Sequence, residues 1–598
     1  MQTKLKQYIE NYNKVISLDD FNENKSLNKE ELLASLTENA NIKHSLAEEN
    51  NAIIQSVLVP LEHRRKLDSL ERREIEDFIS KLQTGFESLD TGMLYRLYKI
   101  LLQDAKENND VNRIVKYIYY SSFYEFLLQS THPRKYRTSS FDEVLNYLDG
   151  YDTLTEEGKN FFLRSYGNQM LCKEYSYPEF KAILDFFIEK KSKDPNPNIP
   201  YDTYILAIQK NISNGLEVIR RYEEQGLEVP GELLNGVYEA SCYIYENLNT
   251  SSKTSLPVKQ VYEYAYHASR FHKGIITIDE YLNCLDKLIY TEEAQTLQEK
   301  SSSLIKMNSL YIWYYIMYKD KNVENLAEVF KKRVAEVLEF VKVVKASEYT
   351  RNMNSDLLSF MQIISRFYPY EKLVPLLLQS TTKRHTPTSI HSQSVAELCK
   401  ILTRHMLRKN PEYFKGIVDD YSVEYIVSHQ QEIIDLSHRM GMIHDIGKYY
   451  CIPIISINFR KLEDIEFESI KFHPYLGYSL VKENFPQVLG DAILYHHVWH
   501  NNKGGYPTDL KHTNNLPLID ILSMSDTIDA AIDFLGRSYV STKTLADLRR
   551  EFSSMKGTRY SKEAVELLDD PQIFEEIIYF LKNTRQDISY KAYTENQK

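Results

Sequence analysis

Cysteine, glycine and proline are scarce in this chain of 598 residues. The five cysteines are scattered without a Cys-x-x-Cys pair, which argues against a disulfide framework and a thiolate zinc site and fits a reducing compartment. No apolar run approaches the roughly 20 residues that span a bilayer. The first residues also lack the apolar core of a secretory signal. We therefore predict a cytoplasmic protein without a membrane span.

An excess of positive charge is also missing. The net charge is −11 at pH 7, which weighs against binding to polymeric nucleic acid because a phosphate backbone requires clustered Lys and Arg. Apolar residues make up 42% of the chain and charged residues 26%, as in an ordinary globular protein. The length is enough for several domains, and a small cationic pocket is compatible with the overall charge.

Residues 1–375 are dominated by apolar residues at helical spacing. In the segment LYRLYKILL, for example, Leu94, Leu97 and Leu101 recur at i, i+3 and i+7. Successive helices of this length predict an all-α region that resembles an α-solenoid of tetratricopeptide-like repeats, with a break near residues 194–200. We expect most tyrosines to pack between helices, and we expect the region to regulate the rest of the chain or to bind a protein partner.

Histidine and aspartate collect in the part of the chain after residue 380. His391 lies in line with aliphatic residues on one helical face, so its imidazole is expected to point inward. Each such position alone is more simply interpreted as an ordinary core or loop residue. Their recurrence at the ends of apolar segments instead predicts a metal site. The full set is His391, His444, Asp445, His473, His496, His497 and Asp526.

The chemistry of these side chains indicates the class of metal. Nitrogen and oxygen ligands without thiolate favour iron, manganese or another first-row cation over a structural zinc. A carboxylate has two oxygen atoms, so Asp445 can bridge two cations while His444 binds one of them. We therefore predict a site for divalent transition-metal ions, with Fe or Mn as the best-suited elements.

The order of these residues, together with a Gly-Tyr-Pro motif, resembles the HD-GYP branch of the HD phosphohydrolases. Members of that family are helical, hold two or three metal ions and hydrolyse cyclic dinucleotides, most often cyclic di-GMP and in some cases cyclic GMP-AMP. The resemblance implies an HD-GYP-like domain at residues 380–580, which a polar tail at 581–598 follows. The motifs are HDIGK (444–448), HPYLG (473–477), HH…GGYP (496–507), SDTIDA (525–530), GRSY (536–539) and GTRYS (557–561).

The resemblance also implies the role of each ligand. One ion would be held by His391, His444, Asp445 and Asp526, and the other by Asp445, His473, His496 and His497. A hydroxide between the two ions would attack the phosphorus atom, which makes the bridging Asp445 a catalytic residue.

Four further residues match family positions at the substrate. Lys448 matches the lysine of the HDxGK motif, and it would bind a phosphate oxygen or help to protonate the leaving 3′ oxygen. Its ordinary alternative is a surface lysine at a helix C-terminus. Arg537 corresponds to an arginine near the substrate phosphate. Gly505 and Tyr506 belong to the loop that borders the substrate cleft.

The sequence departs from the family pattern at several places. Val498 replaces a glutamate of the loop, whose Asp-Gly becomes an Asn pair and whose length increases by one residue. Pro387 stands where trinuclear members carry a glutamate, which favours two ions over three. Val540 occupies the place of a second basic residue after GRSY.

Three functions are compatible with this pattern. The leading prediction is a metal-dependent phosphodiesterase for a cyclic dinucleotide. The alternatives are an HD phosphohydrolase of another nucleotide and a catalytically silent adaptor whose helical repeats bind proteins. The complete set of metal positions favours an enzyme. The sequence is compatible with a homodimer and does not determine the oligomeric state.

Overall fold

A computed structural model shows a helical protein, so the all-α prediction is confirmed. The predicted break near residues 194–200 and the predicted substrate residue Arg537 lie outside the described residues. The structure describes residues 1–19, 27–64, 66–84, 87–88, 90–129, 132, 136–138, 140–169, 172, 177–193, 201–247, 256–294, 296–320, 323–344, 351–366, 370–417, 422–483, 485–511, 516–533 and 543–596.

The chain forms two compact units. The first consists of residue 1 with residues 58–341 and 350–363, and the second of residues 2–57, 342–349 and 364–598. This division places residues 2–57 with the histidine-rich part of the chain, whereas the predicted regions place them with the helical repeats. Helical periodicity shows that a helix buries one face, but it does not show which core that face joins.

The N-terminal helices α1 (Gln2–Asp19) and α2 (Lys29–Ile53) pack against each other within the second unit. The rings of Tyr12 and Phe459 meet edge to face with their centroids 4.7 Å apart. The side chain of Asn50 donates a hydrogen bond to the carbonyl oxygen of Phe459 at 2.9 Å. An aromatic contact and a buried hydrogen bond therefore attach these helices to the segment that follows the HDIGK motif.

In the first unit, the successive helices between residues 69 and 289 pack against their neighbours in sequence. Leu94, Leu97 and Leu101 are fully buried, as their spacing predicts. The ring of Tyr98 stacks on that of Tyr120 with centroids 4.6 Å apart, which illustrates tyrosines packing between helices. The repeat character of this unit stays a prediction.

The strands β1 (Gln83–Thr84) and β2 (Glu87–Ser88) of the first unit pair antiparallel. The helices are α3 (Val59–Glu62), α4 (Ser69–Leu82), α5 (Thr91–Glu107), α6 (Val111–Leu128), α7 (Glu156–Asn168), α8 (Tyr177–Lys193), α9 (Tyr201–Glu224), α10 (Gly231–Asn247), α11 (Leu256–His272), α12 (Ile278–Ile289), α13 (Leu297–Ser301), α14 (Met307–Tyr314), α15 (Val323–Val343) and α16 (Arg351–Ser365).

The remaining helices of the second unit are α17 (Tyr370–Arg384), α18 (Thr386–Lys409), α19 (Val423–Ser428), α20 (Gln430–Ile443), α21 (Ile452–Ile455), α22 (Asp464–Ile470), α23 (His473–Val481), α24 (Gln487–Tyr495), α25 (Leu516–Ile532), α26 (Leu545–Ser554), α27 (Lys562–Leu567), α28 (Pro571–Tyr579) and α29 (Arg585–Asn596). This part of the unit is built around the long helix α18, which packs against α20, α25 and α29. A 3-10 helix spans Ile446–Cys451. The predicted polar tail is helical over α29, where Ser589 and Ala592 are buried. None of the described helices combines the length and apolarity needed to cross a lipid bilayer.

Candidate metal centre

The seven predicted ligands converge in the second unit. Within each of two groups, one candidate donor atom per residue lies within 4.8 Å of the others. The division is the one predicted for two ions, with Asp445 counted in the second group only, and it shows that the cluster could hold metal. The role of each residue as a ligand stays a prediction. The groups are His391, His444 and Asp526, and Asp445, His473, His496 and His497.

Helix ends and two helix interiors bring these side chains together. The body of α18 carries His391, and α25 carries Asp526. The chain leaves α20 at His444 and Asp445, enters α23 at His473, and leaves α24 at the two adjacent histidines. Residues at helix ends can face a common centre from several directions, because their backbone need not continue in one helical path.

Asp445 lies at the centre of the cluster. Its Oδ1 atom is 3.1 Å from Nε2 of His473 and 3.7 Å from Nε2 of His496. Its Oδ2 atom is 3.3 Å from Nε2 of His391 and 3.4 Å from Nε2 of His444. Each oxygen of this carboxylate thus faces a different pair of imidazoles, which is the arrangement that a bridging ligand requires.

Backbone contacts fix the tautomer of three imidazoles. The Nδ1 atoms of His444 and His473 each lie 2.8 Å from a carbonyl oxygen three residues earlier, and that of His496 lies 2.9 Å from such an oxygen. A carbonyl only accepts hydrogen bonds, so Nδ1 carries the proton and Nε2 keeps its lone pair. Nε2 faces Asp445 in all three residues, which is the orientation of metal-binding histidines.

Several buried polar atoms of the cluster have close polar neighbours but form no hydrogen bond of good geometry with the described residues. They are Nε2 of His391, His444 and His497, and Oδ1 of Asp445. Each such atom costs about 1–3 kcal/mol if it stays unsatisfied. Ligand atoms about 2.1 Å from one ion lie about 3.0 Å apart in octahedral and about 3.4 Å apart in tetrahedral coordination. Nε2 of His391 lies 3.0 Å from Oδ1 of Asp526. The donor set and its spacing therefore fit divalent metal ions.

The electrostatics of the two groups differ. Burial opposes a charge on Asp445, yet Lys448 and His444 hold the pKa of its carboxyl well below the usual value. Burial lowers the pKa of His473 to about 4 although Asp445 opposes this, so its imidazole is neutral at pH 7. Burial also opposes protonation of His391, but the three neighbouring carboxyl groups raise its pKa well above the usual value. The surroundings of His391 favour positive charge, which a divalent cation supplies.

Three further predicted site residues that the structure describes, Lys448, Gly505 and Tyr506, border the cluster. Lys448 is 17% exposed, and its ammonium group forms an ion pair with Oδ2 of Asp445. The ring of Tyr506 lies against that of His497 with centroids 4.3 Å apart. Gly505 has a φ of +85°, and a Cβ atom there would lie 1.9 Å from the carbonyl oxygen of His497. Only glycine therefore allows the loop to pass so close to this histidine.

Two residues that stand behind His391 are not among the predicted site residues. Asp529 accepts a hydrogen bond from Nδ1 of His391 at 2.8 Å, and Arg585 donates one to Asp529 at 2.6 Å. Asp529 could have been found, because it follows Asp526 by one turn on a buried helix where an acid needs a cationic partner. Arg585 is 56 residues further on and has no local signal.

Comparison with known proteins gives a match for one part of the chain. Searches of curated proteins and of solved structures found no match. Residues 388–531 match the family model described as HD domain, and this span contains all seven predicted ligands. An HD domain indicates a metal-dependent phosphohydrolase in general. Residues 388–531 are therefore similar to an HD domain, and they carry a His/Asp cluster that could hold metal ions.

Proposed function

We propose that the second unit is a two-metal phosphodiesterase that hydrolyses a cyclic dinucleotide. The observation that carries this proposal is the carboxylate of Asp445, whose two oxygens face different pairs of imidazole nitrogens. Two cations that share one carboxylate suit an in-line displacement at phosphorus, because the attacking and leaving oxygens each need stabilisation.

The residues of the chain have distinct tasks in this proposal. When bound, the two ions supply an activated water nucleophile near neutral pH and stabilise negative charge on the phosphate. Asp445 would hold both ions, and the neutral imidazoles of His473 and His496 would bind them without first losing a proton. Lys448 stands at Asp445 and is partly exposed, so its ammonium group can bind a phosphate oxygen or donate a proton to the leaving oxygen.

The choice of substrate is supported by the motifs around the centre. The HDIGK, HPYLG and GGYP motifs resemble those of enzymes that open cyclic di-GMP or cyclic GMP-AMP. Tyr506 lies against His497 and offers a ring face near the centre on which a nucleobase can stack. The first unit would regulate this activity or bind a protein partner.

The proposal is tested by anaerobic purification in the presence of Mn²⁺ or Fe²⁺ and product analysis with cyclic di-GMP and cyclic GMP-AMP in parallel. We expect turnover of at least one compound, loss of turnover after treatment with EDTA, and recovery when the metal is returned. If two ions are bound but neither compound is turned over, the proposed cyclic dinucleotide substrate is wrong and another phosphoester is indicated. If the protein binds no metal, the proposed enzymatic function is wrong and a catalytically silent adaptor is favoured.

The variant Lys448→Met is expected to lower turnover by about 10²–10³-fold while keeping both metal ions. Loss of a cation beside Asp445 removes a repulsion from the divalent ions, so metal affinity should stay the same or rise. Turnover and Mn²⁺ binding are measured on the same preparation. Lys482→Met is the control, because Lys482 is a 50% exposed lysine elsewhere in the second unit. Unchanged turnover in Lys448→Met would make Lys448 only a structural partner of Asp445.

A further inference from the structure

A buried carboxylate lies directly behind His391. Oδ2 of Asp529 accepts a hydrogen bond from Nδ1 of His391 at 2.8 Å, and the side chain of Asp529 is fully buried. The other ring nitrogen of His391, Nε2, faces Asp445 and Asp526 at 3.3 and 3.0 Å. The carboxylate thus sets the rotation of the imidazole about its Cβ–Cγ bond, and that rotation aims Nε2 at the cluster.

Arg585 in turn holds this carboxylate from the opposite side. Its Nε atom donates to Oδ1 of Asp529 at 2.6 Å, and its Nη2 atom donates to Oδ1 of Asp533 at 3.0 Å. The guanidinium is only 11% exposed. Because Arg585 takes one oxygen of Asp529, the other oxygen is left for His391. A planar guanidinium can grip two carboxylates at once in fixed directions, which an ammonium group cannot do.

The helix that carries Arg585 is itself anchored. Helix α29 packs against α18, the helix of His391, and against α17. Ser589 and Ala592 on α29 are buried. Lys29 forms an ion pair with Asp587, and α2 packs against α29. The guanidinium is therefore held by a helix whose own position is fixed on several sides.

We propose that Arg585 is a positioning residue for the metal centre. Helix α29 thereby contributes to metal binding in the second unit. Arg585 acts through Asp529 on His391. It thereby acts on the ion predicted at His391, His444, Asp445 and Asp526. This inference rests on the proposed two-metal function, but it concerns metal affinity rather than substrate. It also assigns a function to residues beyond the matched span 388–531.

The test is a calorimetric titration of the metal-free protein with Mn²⁺ under anaerobic conditions. In Arg585→Gln we expect one of the two binding events to weaken by about 10–100-fold while the other changes little, since loss of such a support costs about that much affinity. Arg585→Lys keeps the positive charge but not the planar fork, and it should lie between wild type and Arg585→Gln. Arg549→Gln is the matched control, because Arg549 forms an exposed pair with Asp569 at 2.9 Å in the same unit.

Thermal unfolding in EDTA separates positioning from a purely structural role. The inference is supported when Arg585→Lys unfolds near the wild-type temperature and still shows selective weakening of one event. It is overturned when both events are unchanged, or when both weaken together in proportion to a fall in melting temperature. Failure of the wild-type protein to bind Mn²⁺ overturns the proposed function as well. Normal metal binding without turnover contradicts the proposed substrate and leaves this inference standing.

Discussion

Asp445→Asn is expected to bind neither metal ion tightly and to lose turnover by at least about 10³-fold, because the nucleophile and the charge stabilisation both depend on the ions. The substitution keeps the shape of the side chain but removes the negative charge that both groups of imidazoles face. An amide also cannot offer an oxygen in both directions, because one of its two terminal atoms is an NH₂ donor. Metal content by mass spectrometry of the purified protein and product formation are the measurements.

The same variant should also lose the stability that the ions provide. A ligand present at 1,000 times its Kd stabilises a folded protein by about 4 kcal/mol. Metal should therefore raise the melting temperature of the wild-type protein and leave that of Asp445→Asn nearly unchanged. Asp491→Asn is a matched control, because Asp491 is also buried in the second unit but lies outside the two groups. An Asp445→Asn protein that keeps two ions would contradict the bridging role.

Gly447→Ala is expected to displace His473, although none of the predicted ligand residues is substituted. A Cβ atom at Gly447 would lie 1.8 Å from the carbonyl oxygen of His473 and 2.6 Å from the backbone nitrogen of Gly477. Real Cβ atoms keep at least 3.0 Å from such atoms, so the start of α23 must move away by more than about 1 Å. His473 moves with it, and its contact with Asp445 is lost.

The expected outcome is lower stability and selective loss of one ion. That ion is the one predicted at Asp445, His473, His496 and His497. We expect the affinity for that ion to fall by about 100-fold or more, since a ligand is misplaced rather than a supporting residue. We also expect a loss of about 1–3 kcal/mol in unfolding free energy from overpacking. Gly490→Ala is the control, because its nearest neighbour is the side-chain ring of Tyr478 at 3.1 Å, which can shift. Two tightly bound ions in Gly447→Ala would show that the backbone there tolerates a side chain.

The sequence was sufficient for the parts of the site that depend on local pattern. His391, His444 and Asp526 each stand on or beside an apolar helix, so burial of one face brings them inward. The His444-Asp445 pair stands in a motif whose glycine and lysine mark the end of a helix. The helical class follows from the same periodicity. Ligation and catalysis by these residues stay predictions.

Contacts between distant segments could not be read from the sequence. Nothing in the residues around Arg585 indicates a pairing with Asp529, and the polar composition of α29 suggested a tail. Likewise, no pattern in α1 shows that Tyr12 meets Phe459. Such pairings are set by the packing of a whole unit, and local propensity carries no information about them.

The attachment of α1 and α2 to the second unit has a consequence for biosynthesis. Tyr12 leaves the ribosome long before Phe459, with which it packs. At about 5–20 residues per second, the intervening chain takes roughly 20–90 s to synthesise. During that interval residues 58–341 are completed and can form their own core, while α1 and α2 can already pack against each other. Helices α1 and α2 therefore cannot reach this packing partner until Phe459 has been synthesised, and during that time they lack the surface against which they pack in the second unit.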